Sequence, residues 1–214
     1  MAALVLLLTL MLAGCAARAP QPYDYAAFKK ARPRSILILP PTNVSPDIHA
    51  AAGVLAQAVR PLSESGYYVY PVSLVQETFQ QNGVTVAADA QALPVARLHE
   101  IFGADAGLYI NITQYGTSYK LIDSETVVAA EARLVDLRSG LVLWTGTARA
   151  SSSENRQNNN GLLGALISAA INQIISNVSD ASFPIAGTAT SRLLYARMPA
   201  GMLYGPRSPH YLSD

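Results

Sequence analysis

Three successive segments in the second half of the chain alternate apolar and polar side chains with a period of two. They cover residues 108–115, 126–135 and 141–150, and the connections between them are short. In a strand, successive side chains point to opposite faces, so alternation of this kind is typical of a sheet with one packed face and one wetter face. The pattern therefore predicts a three-strand antiparallel meander.

The first half of the chain alternates between strand and helix patterns. Residues 34–39 form an apolar run stopped by Pro40-Pro41, as expected of a strand buried on both faces. Pro61 is expected to kink or end the helix that contains it. Helices are predicted over residues 48–64, 73–82, 94–102, 161–181 and 185–196, with a further strand over 67–72. Together these elements predict a single mixed-sheet α/β (α+β) domain with helices packed on the sheet.

The composition excludes several classes of protein. Half of the residues are hydrophobic and 14% are charged, so the chain can bury a sizeable core. The net charge is +1 and the basic residues are scattered, so nothing indicates a nucleic-acid partner. One cysteine cannot form an intramolecular disulfide.

That cysteine, Cys15, ends an uncharged apolar stretch over residues 2–13. The stretch is shorter than the roughly 20 apolar residues that cross a bilayer, and it fits the hydrophobic region of a signal peptide. Leu12-Ala13-Gly14-Cys15 matches the processing box of bacterial lipoproteins. We therefore expect cleavage before Cys15 and its modification with diacylglycerol and a further acyl chain such as palmitate. Ala16, in place of Asp, favours sorting to the outer membrane.

The expected organisation has four parts. A signal peptide covers residues 1–14, a lipidated tether 15–33, a periplasmic α/β domain 34–198 and an irregular C-terminal tail 199–214. The tether is rich in proline and should be extended, while its Tyr-rich part is expected to lie on the domain. No Lys or Arg precedes the apolar run, so either an upstream start codon or a weak basic region is expected.

Two segments are candidate interfaces. In the helix at 161–181, small residues recur at helical spacing, which lets another backbone come close. These residues are Gly161, Gly164, Ala165, Ser168 and Ala169. The alternatives for this helix are packing on its own sheet, sharing with another subunit, or membrane insertion. In the tail, Tyr204 and Arg207 are residue types favoured at binding hot spots, the alternative being a tail that lies on its own domain.

The sequence contains no recognisable catalytic or metal-binding motif. The histidines are far apart, without the spacing of metal ligands; they are His49, His99 and His210. Asp105, Asp123 and Asp136 lie at strand or turn boundaries, where Asp is common for turn chemistry. We therefore expect no catalytic residues, no metal and no cofactor, although a hydrolase that uses such aspartates stays an alternative.

Several stretches carry a resemblance to a known family. They are residues 32–47, 62–69, 102–106 and 201–209, together with the polar loop before a Gly- and Ala-rich helix. On these stretches the chain resembles a family of bacterial lipoproteins that includes a neisserial surface antigen and vaccine candidate. The resemblance covers nearly the whole mature chain. No catalytic residues are known for that family, so none are carried over.

A broader resemblance lies within residues 133–144. This segment is similar to a Leu-Val-Asp…Thr-Gly…Leu-Trp hairpin of several periplasmic domains, with Ser139 where Thr is usual. Those domains occur in the Tol translocation protein, the curli-secretion channel lipoprotein and a lipoprotein that activates peptidoglycan synthesis. The resemblance implies a small α/β domain used for protein contacts. It also implies a curli-channel-like lipoprotein as a candidate partner, because the family is thought to occur beside one in some genomes.

The expected function is that of a non-enzymatic, outer-membrane-anchored lipoprotein. Its periplasmic domain would bind other envelope lipoproteins and form a homo-oligomer, with a homodimer as the simplest case, within a secretion, transport or assembly system. One alternative is a ligand- or glycan-binding lipoprotein of a transport system. A cell-wall hydrolase is the remaining one.

Overall fold

The computed structural model describes residues 23–119, 124–154, 181–197 and 199–213. The helices are α1 (Ala26–Ala31), α2 (Ala50–Glu64), α3 (Val72–Gln81), α4 (Ala87–Ala92), α5 (Val95–Phe102) and α6 (Ser182–Leu194). The strands are β1 (Ser35–Ile38), β2 (Thr42–Asn43), β3 (Tyr68–Val69), β4 (Ala106–Tyr119), β5 (Ser124–Asp136) and β6 (Val142–Ser151).

The strands form one mixed sheet in the order β3-β1-β4-β5-β6, and β2 pairs with β4 beyond the end of β1. Strand β1 runs parallel to β3 and β4, whereas β4, β5 and β6 are antiparallel neighbours. The predicted fold class is confirmed: this is an α/β domain with a six-stranded mixed sheet and a three-strand meander.

Two sets of helices pack on the sheet, one set on each face. Helices α2 and α6 lie side by side over one face, where Ile36, Ile110 and Leu134 are fully buried. Helices α3, α4 and α5 pack on the other face, over Leu37 of β1 and Tyr109 of β4. Strand β1 is therefore buried on both faces, as its continuous apolar run predicts.

Several helix and strand boundaries differ from the predictions near prolines, and two short elements were not predicted at all. The strand predicted over 67–72 shortens to β3, because Pro71 precedes the first turn of α3 with φ −58°. Helix α6 starts at Ser182, earlier than predicted, and Pro184 lies in its first turn, where a missing N–H costs nothing. Pro61 lies in the last turn of α2, which continues only to Glu64. Helix α4 and strand β2 were not predicted.

The folded domain begins before residue 34, where the sequence placed its start, and the Tyr-rich part of the tether lies on the domain as expected. Residues 23–31, assigned to the tether from the sequence, include α1, which packs on the domain. Tyr25 and Phe28 are 6% and 3% exposed and belong to the main core, and the Tyr25 hydroxyl donates to the Gly201 carbonyl oxygen. The folded unit therefore includes α1.

Candidate interaction surface

Part of the meander turns one face away from every helix in the described part of the chain. On β4, β5 and β6, alternate side chains point into the core beneath α2 and α6, because successive residues face opposite sides. We call the face formed by their neighbours the open sheet face. It comprises Asn111, Thr113, Val127, Glu131, Arg133, Thr145, Thr147 and Arg149, all exposed or half-buried.

A groove crosses the end of the open sheet face nearest α4. It encloses about 490 Å³, and its walls include Gln91, Asn111, Glu131 and Thr147. The Arg133 guanidinium lies 4.3 Å from the centre of the Tyr109 ring at the groove's base. Burial raises the pKa of the Tyr109 phenol, so the ring is neutral, and the Arg133 guanidinium forms a cation–π contact with its face. The groove therefore presents fixed polar and charged groups to the solvent.

Gln91 of α4 closes a gap that prolines make in the sheet. Pro40 and Pro41 have no N–H, so they cannot pair with the adjacent stretch of β4. The Gln91 side-chain amide donates to the Pro40 carbonyl oxygen at 2.9 Å and to the Ile110 carbonyl oxygen at 3.1 Å. One side chain thus satisfies two backbone acceptors and fixes the wall of the groove.

The loop after β2 forms the opposite end of the open sheet face. The Asn43 side-chain amide donates to the Asp47 carbonyl oxygen at 2.8 Å, and its oxygen accepts from the Ser45 N–H at 2.9 Å. These bonds hold the loop in one shape. Val44, 72% exposed, projects from it beside a second groove lined by Thr113 and other residues of the open sheet face.

Side chains bond two backbone groups on the edge strand β6. The Thr145 N–H donates to the Tyr23 hydroxyl at 2.9 Å, and the Arg149 carbonyl oxygen accepts from the Arg192 guanidinium at 2.8 Å. At these two positions, side chains lie where another strand would pair.

The structure places Tyr204 and Arg207, the predicted tail interface, against their own domain. The Gly205 N–H donates to the Ser65 carbonyl oxygen at 2.8 Å, and the Arg207 N–H donates to the Gly66 carbonyl oxygen at 3.0 Å. Tyr204 stacks near His210, with ring centres 5.2 Å apart. This is the alternative in which the tail lies on its own domain.

Other predicted residues lie outside the described part of the chain. These are Cys15, Gly161, Gly164, Ala165, Ser168, Ala169 and Asp123. The proposed lipidation site and helix interface therefore stay predictions.

The two described aspartates at strand boundaries organise backbone. Asp105 accepts from the Arg34 and Ser35 N–H groups at 2.9 and 3.2 Å, and it forms an ion pair with Arg138. Asp136 accepts from the Arg138 and Ser139 N–H groups and closes the turn between β5 and β6. Both act in turn chemistry, as their positions in the sequence indicate.

Residues 23–119, 124–154, 181–197 and 199–213 form neither a metal-ligand cluster nor a membrane-spanning helix. Within these ranges no three His, Cys, Asp or Glu side chains converge as metal ligands. His49 lies at the start of α2, the His99 ring contacts the Ala104 carbonyl oxygen, and His210 lies in the tail. None of the helices in these ranges combines the length and the apolar character needed to cross a bilayer.

No motif points directly to the residues of the open sheet face. Period-two alternation indicated one wetter face, yet it did not show which part of that face the helices would leave uncovered. Glu131 and Arg133 were therefore missed as candidates, although their alternation with buried Ala132 and Leu134 is visible in the sequence.

Comparison with known proteins supplies the family. The model of the GNA1162-like lipoproteins matches residues 23–207. The chain belongs to this family. The lipoprotein NMB1124/NMB1162 of Neisseria meningitidis serogroup B (strain ATCC BAA-335 / MC58) is 49% identical over 198 residues, which are 92% of each chain.

A crystal structure of the family supports the assignment. The lipoprotein GNA1162 from Neisseria meningitidis is 54% identical and superposes with a TM-score of 0.55. The match covers 68% of this chain and all of that one. The predicted resemblance to a neisserial lipoprotein family is confirmed, and membership of a lipoprotein family indicates anchoring at an envelope membrane.

Proposed function

We propose that this chain is a non-enzymatic lipoprotein, anchored in the outer membrane through lipid on Cys15. Its periplasmic domain binds another envelope protein through the open sheet face, as one component of a secretion, transport or assembly system. The observation that carries this proposal is the open sheet face itself, a rigid surface with alternating Thr, Glu and Arg side chains that the described helices leave uncovered.

The chemistry of the open sheet face suits recognition of a protein. Glu131 and Arg133 are exposed and of opposite charge on the same strand, so they can select a partner with complementary charges. Thr145 and Thr147 add short hydroxyl side chains that lose little conformational entropy on binding. Arg149 is tied to Glu125 at 3.6 Å, which orders the far end of the face.

The size of the face also bears on the proposal. Three strands about 4.8 Å apart and roughly six residues long present only about 300 Å², less than half of one side of a standard interface. The partner must therefore also cover the flanking α4 and the loop with Val44, which both border the grooves. This extended contact is expected of a protein rather than of a small ligand.

A photo-crosslinking amino acid tests this proposal in intact cells. The photo-crosslinking amino acid replaces Thr147 in one variant and Glu131 in another. We expect both variants to form an adduct with the same partner, which is an envelope protein or a second copy of this chain. Glu77, exposed on α3, is the matched control and should give none. Adding Arg133→Glu should reduce the yield several-fold. An adduct only with residues 155–180 of the same chain, or equal yields at all positions, would contradict the proposal.

A glycan-binding lipoprotein of a transport system is the second candidate. The groove beside α4 has the volume of a small-ligand site, and the amide, carboxylate and guanidinium groups of Asn111, Glu131 and Arg133 suit sugar hydroxyls. Saturable binding of cell-wall glycan fragments, abolished by Glu131→Ala, would favour this candidate. Binding that survives Glu131→Ala would reject it.

A further inference from the structure

Basic and aromatic side chains gather where the folded domain begins, beside α1. We call this cluster the tether-side patch. It comprises Lys29, Lys30, Arg32, Arg34 and Arg207, together with Tyr68, Tyr204, Tyr211 and Leu212. Lys29, Lys30, Arg32, Arg34 and Arg207 are all exposed.

Contacts among these residues show that they share one surface. Lys29, Arg32, Tyr204, Tyr211 and Leu212 line one small pocket between α1 and the tail. On the adjacent strand edge, the Tyr68 N–H donates to the Arg34 carbonyl oxygen at 3.1 Å. The Arg207 guanidinium lies 5.4 Å from the centre of the Tyr68 ring. The C-terminal tail and the N-terminal helix therefore build the patch together.

The basic residues of the patch lie together, and most of the other described arginines are paired. Outside the patch, five of them form ion pairs with carboxylates and two do not: the first are Arg60, Arg97, Arg138, Arg149 and Arg192, and the others are Arg133 and Arg197. Among the described residues, Lys30, Arg32, Arg34 and Arg207 form no ion pair with a carboxylate. Arg32 donates to the Lys29 carbonyl oxygen, which leaves its positive charge uncompensated. The patch is therefore a concentration of positive charge on a chain whose net charge is only +1.

The position of the patch is limited by the length of the tether. A fully extended chain spans at most about 3.6 Å per residue, so Tyr23 lies within about 30 Å of Cys15. Helix α1 begins directly after Tyr25 and carries Lys29 and Lys30. If lipid on Cys15 anchors the protein, these charges cannot move far from the bilayer surface.

We propose that the tether-side patch docks on the headgroups of anionic phospholipids. This inference rests on the proposed lipid anchor at Cys15. Lys and Arg attract anionic headgroups, while Tyr side chains place an apolar ring and a polar hydroxyl at the membrane–water interface. Leu212, 62% exposed at the rim, adds an apolar contact. Docking would fix the orientation of the domain and turn the open sheet face in a defined direction.

The test uses the full lipidated chain in vesicles of phosphatidylcholine with 30% phosphatidylglycerol. A fluorophore on Leu212→Cys reports proximity to spin-labelled lipid, and Thr147→Cys carries the control label on the open sheet face. Because the Cys15 thiol carries lipid, only the introduced cysteine reacts. We expect quenching at position 212 to exceed quenching at 147 by about threefold. The excess should vanish in pure phosphatidylcholine and in 1 M salt, where charges are screened beyond about 3 Å.

Charge reversal separates electrostatic docking from simple proximity. Arg32→Glu with Arg207→Glu should remove the excess quenching at 212, whereas Arg60→Glu with Arg97→Glu should leave it unchanged. Equal quenching at both labels, or an excess that survives the first pair of reversals, would overturn docking. Protein that fails to float with the vesicles would instead refute the lipid anchor, so the two failures are distinguishable.

Discussion

Phe28→Ala tests whether the segment before β1 is part of the folded domain or only a tether. The Phe28 ring is 3% exposed and lies in the main core with Tyr25. Replacing a buried Phe by Ala removes apolar contacts and leaves a cavity, at a cost of about 3–5 kcal/mol in the free energy of unfolding. For a domain of 150–250 residues, 1 kcal/mol lowers Tm by about 2–4 °C, so a fall of roughly 6–20 °C is expected.

The assay is thermal and urea unfolding of the mature chain, followed by circular dichroism. Lys30→Ala is the matched control, because Lys30 lies in the same helix, is exposed and would be replaced by a good helix former. The control should change the free energy of unfolding by less than about 0.5 kcal/mol. If Phe28→Ala shifts Tm no more than Lys30→Ala does, α1 is not part of the core and the corrected boundary is wrong.

Three further predictions concern the sheet, the tail and a surface ion pair. Gln91→Leu removes the side-chain donor to the Pro40 carbonyl oxygen and one of two side-chain donors to the Ile110 carbonyl oxygen, which also accepts from the Thr42 hydroxyl at 3.4 Å. Urea unfolding should therefore show a loss of about 1–3 kcal/mol, and an unchanged midpoint would refute this role. Gly66 has φ +96°, and a Cβ added there would lie 2.4 Å from a backbone nitrogen of the tail. Gly66→Ala should therefore lower the free energy of unfolding by about 2–5 kcal/mol. Gly83→Ala adds its Cβ in open space and should lower it less in the same assay. The Arg192 hydrogen bond holds the pKa of the Glu154 carboxyl below its ordinary value, so its contribution is present at neutral pH and is lost as pH falls through that lowered pKa. The difference in Tm between wild type and Arg192→Gln should therefore narrow from pH 7 to pH 3, and a constant difference would contradict the assignment.

The sheet was the most predictable part of the fold. Alternation over 126–135 predicted a strand, and the structure has a strand at Ser124–Asp136 that is only slightly longer. The alternation is clear because the inward residues of this strand pack under α2 and α6. Helix α4 was missed because Ala87–Ala92 is too short and too rich in Ala to show helical periodicity. Its importance comes from Gln91, whose two acceptors lie far away in sequence.

The contacts of the tail could not be predicted from local patterns. Residue type alone left open whether Tyr204 and Arg207 contact a partner or lie on their own domain, and backbone hydrogen bonds join their segment to residues 65–66. Gly66 lies between the helix predicted over 48–64 and the strand predicted over 67–72. Its positive φ and its close approach to Ser208 depend on the tail packing against it, which is a contact distant in sequence.

Lipid on Cys15 is proposed to hold a protein-binding domain at the membrane. This is measured by the intact mass of the protein extracted from membranes, compared between wild type and Cys15→Ala. We expect a wild-type chain that begins at Cys15 and carries diacylglycerol and an acyl chain, and a Cys15→Ala chain without that added mass. A Cys15→Ala chain that stays in the membrane fraction with the same lipid mass would refute the lipid anchor.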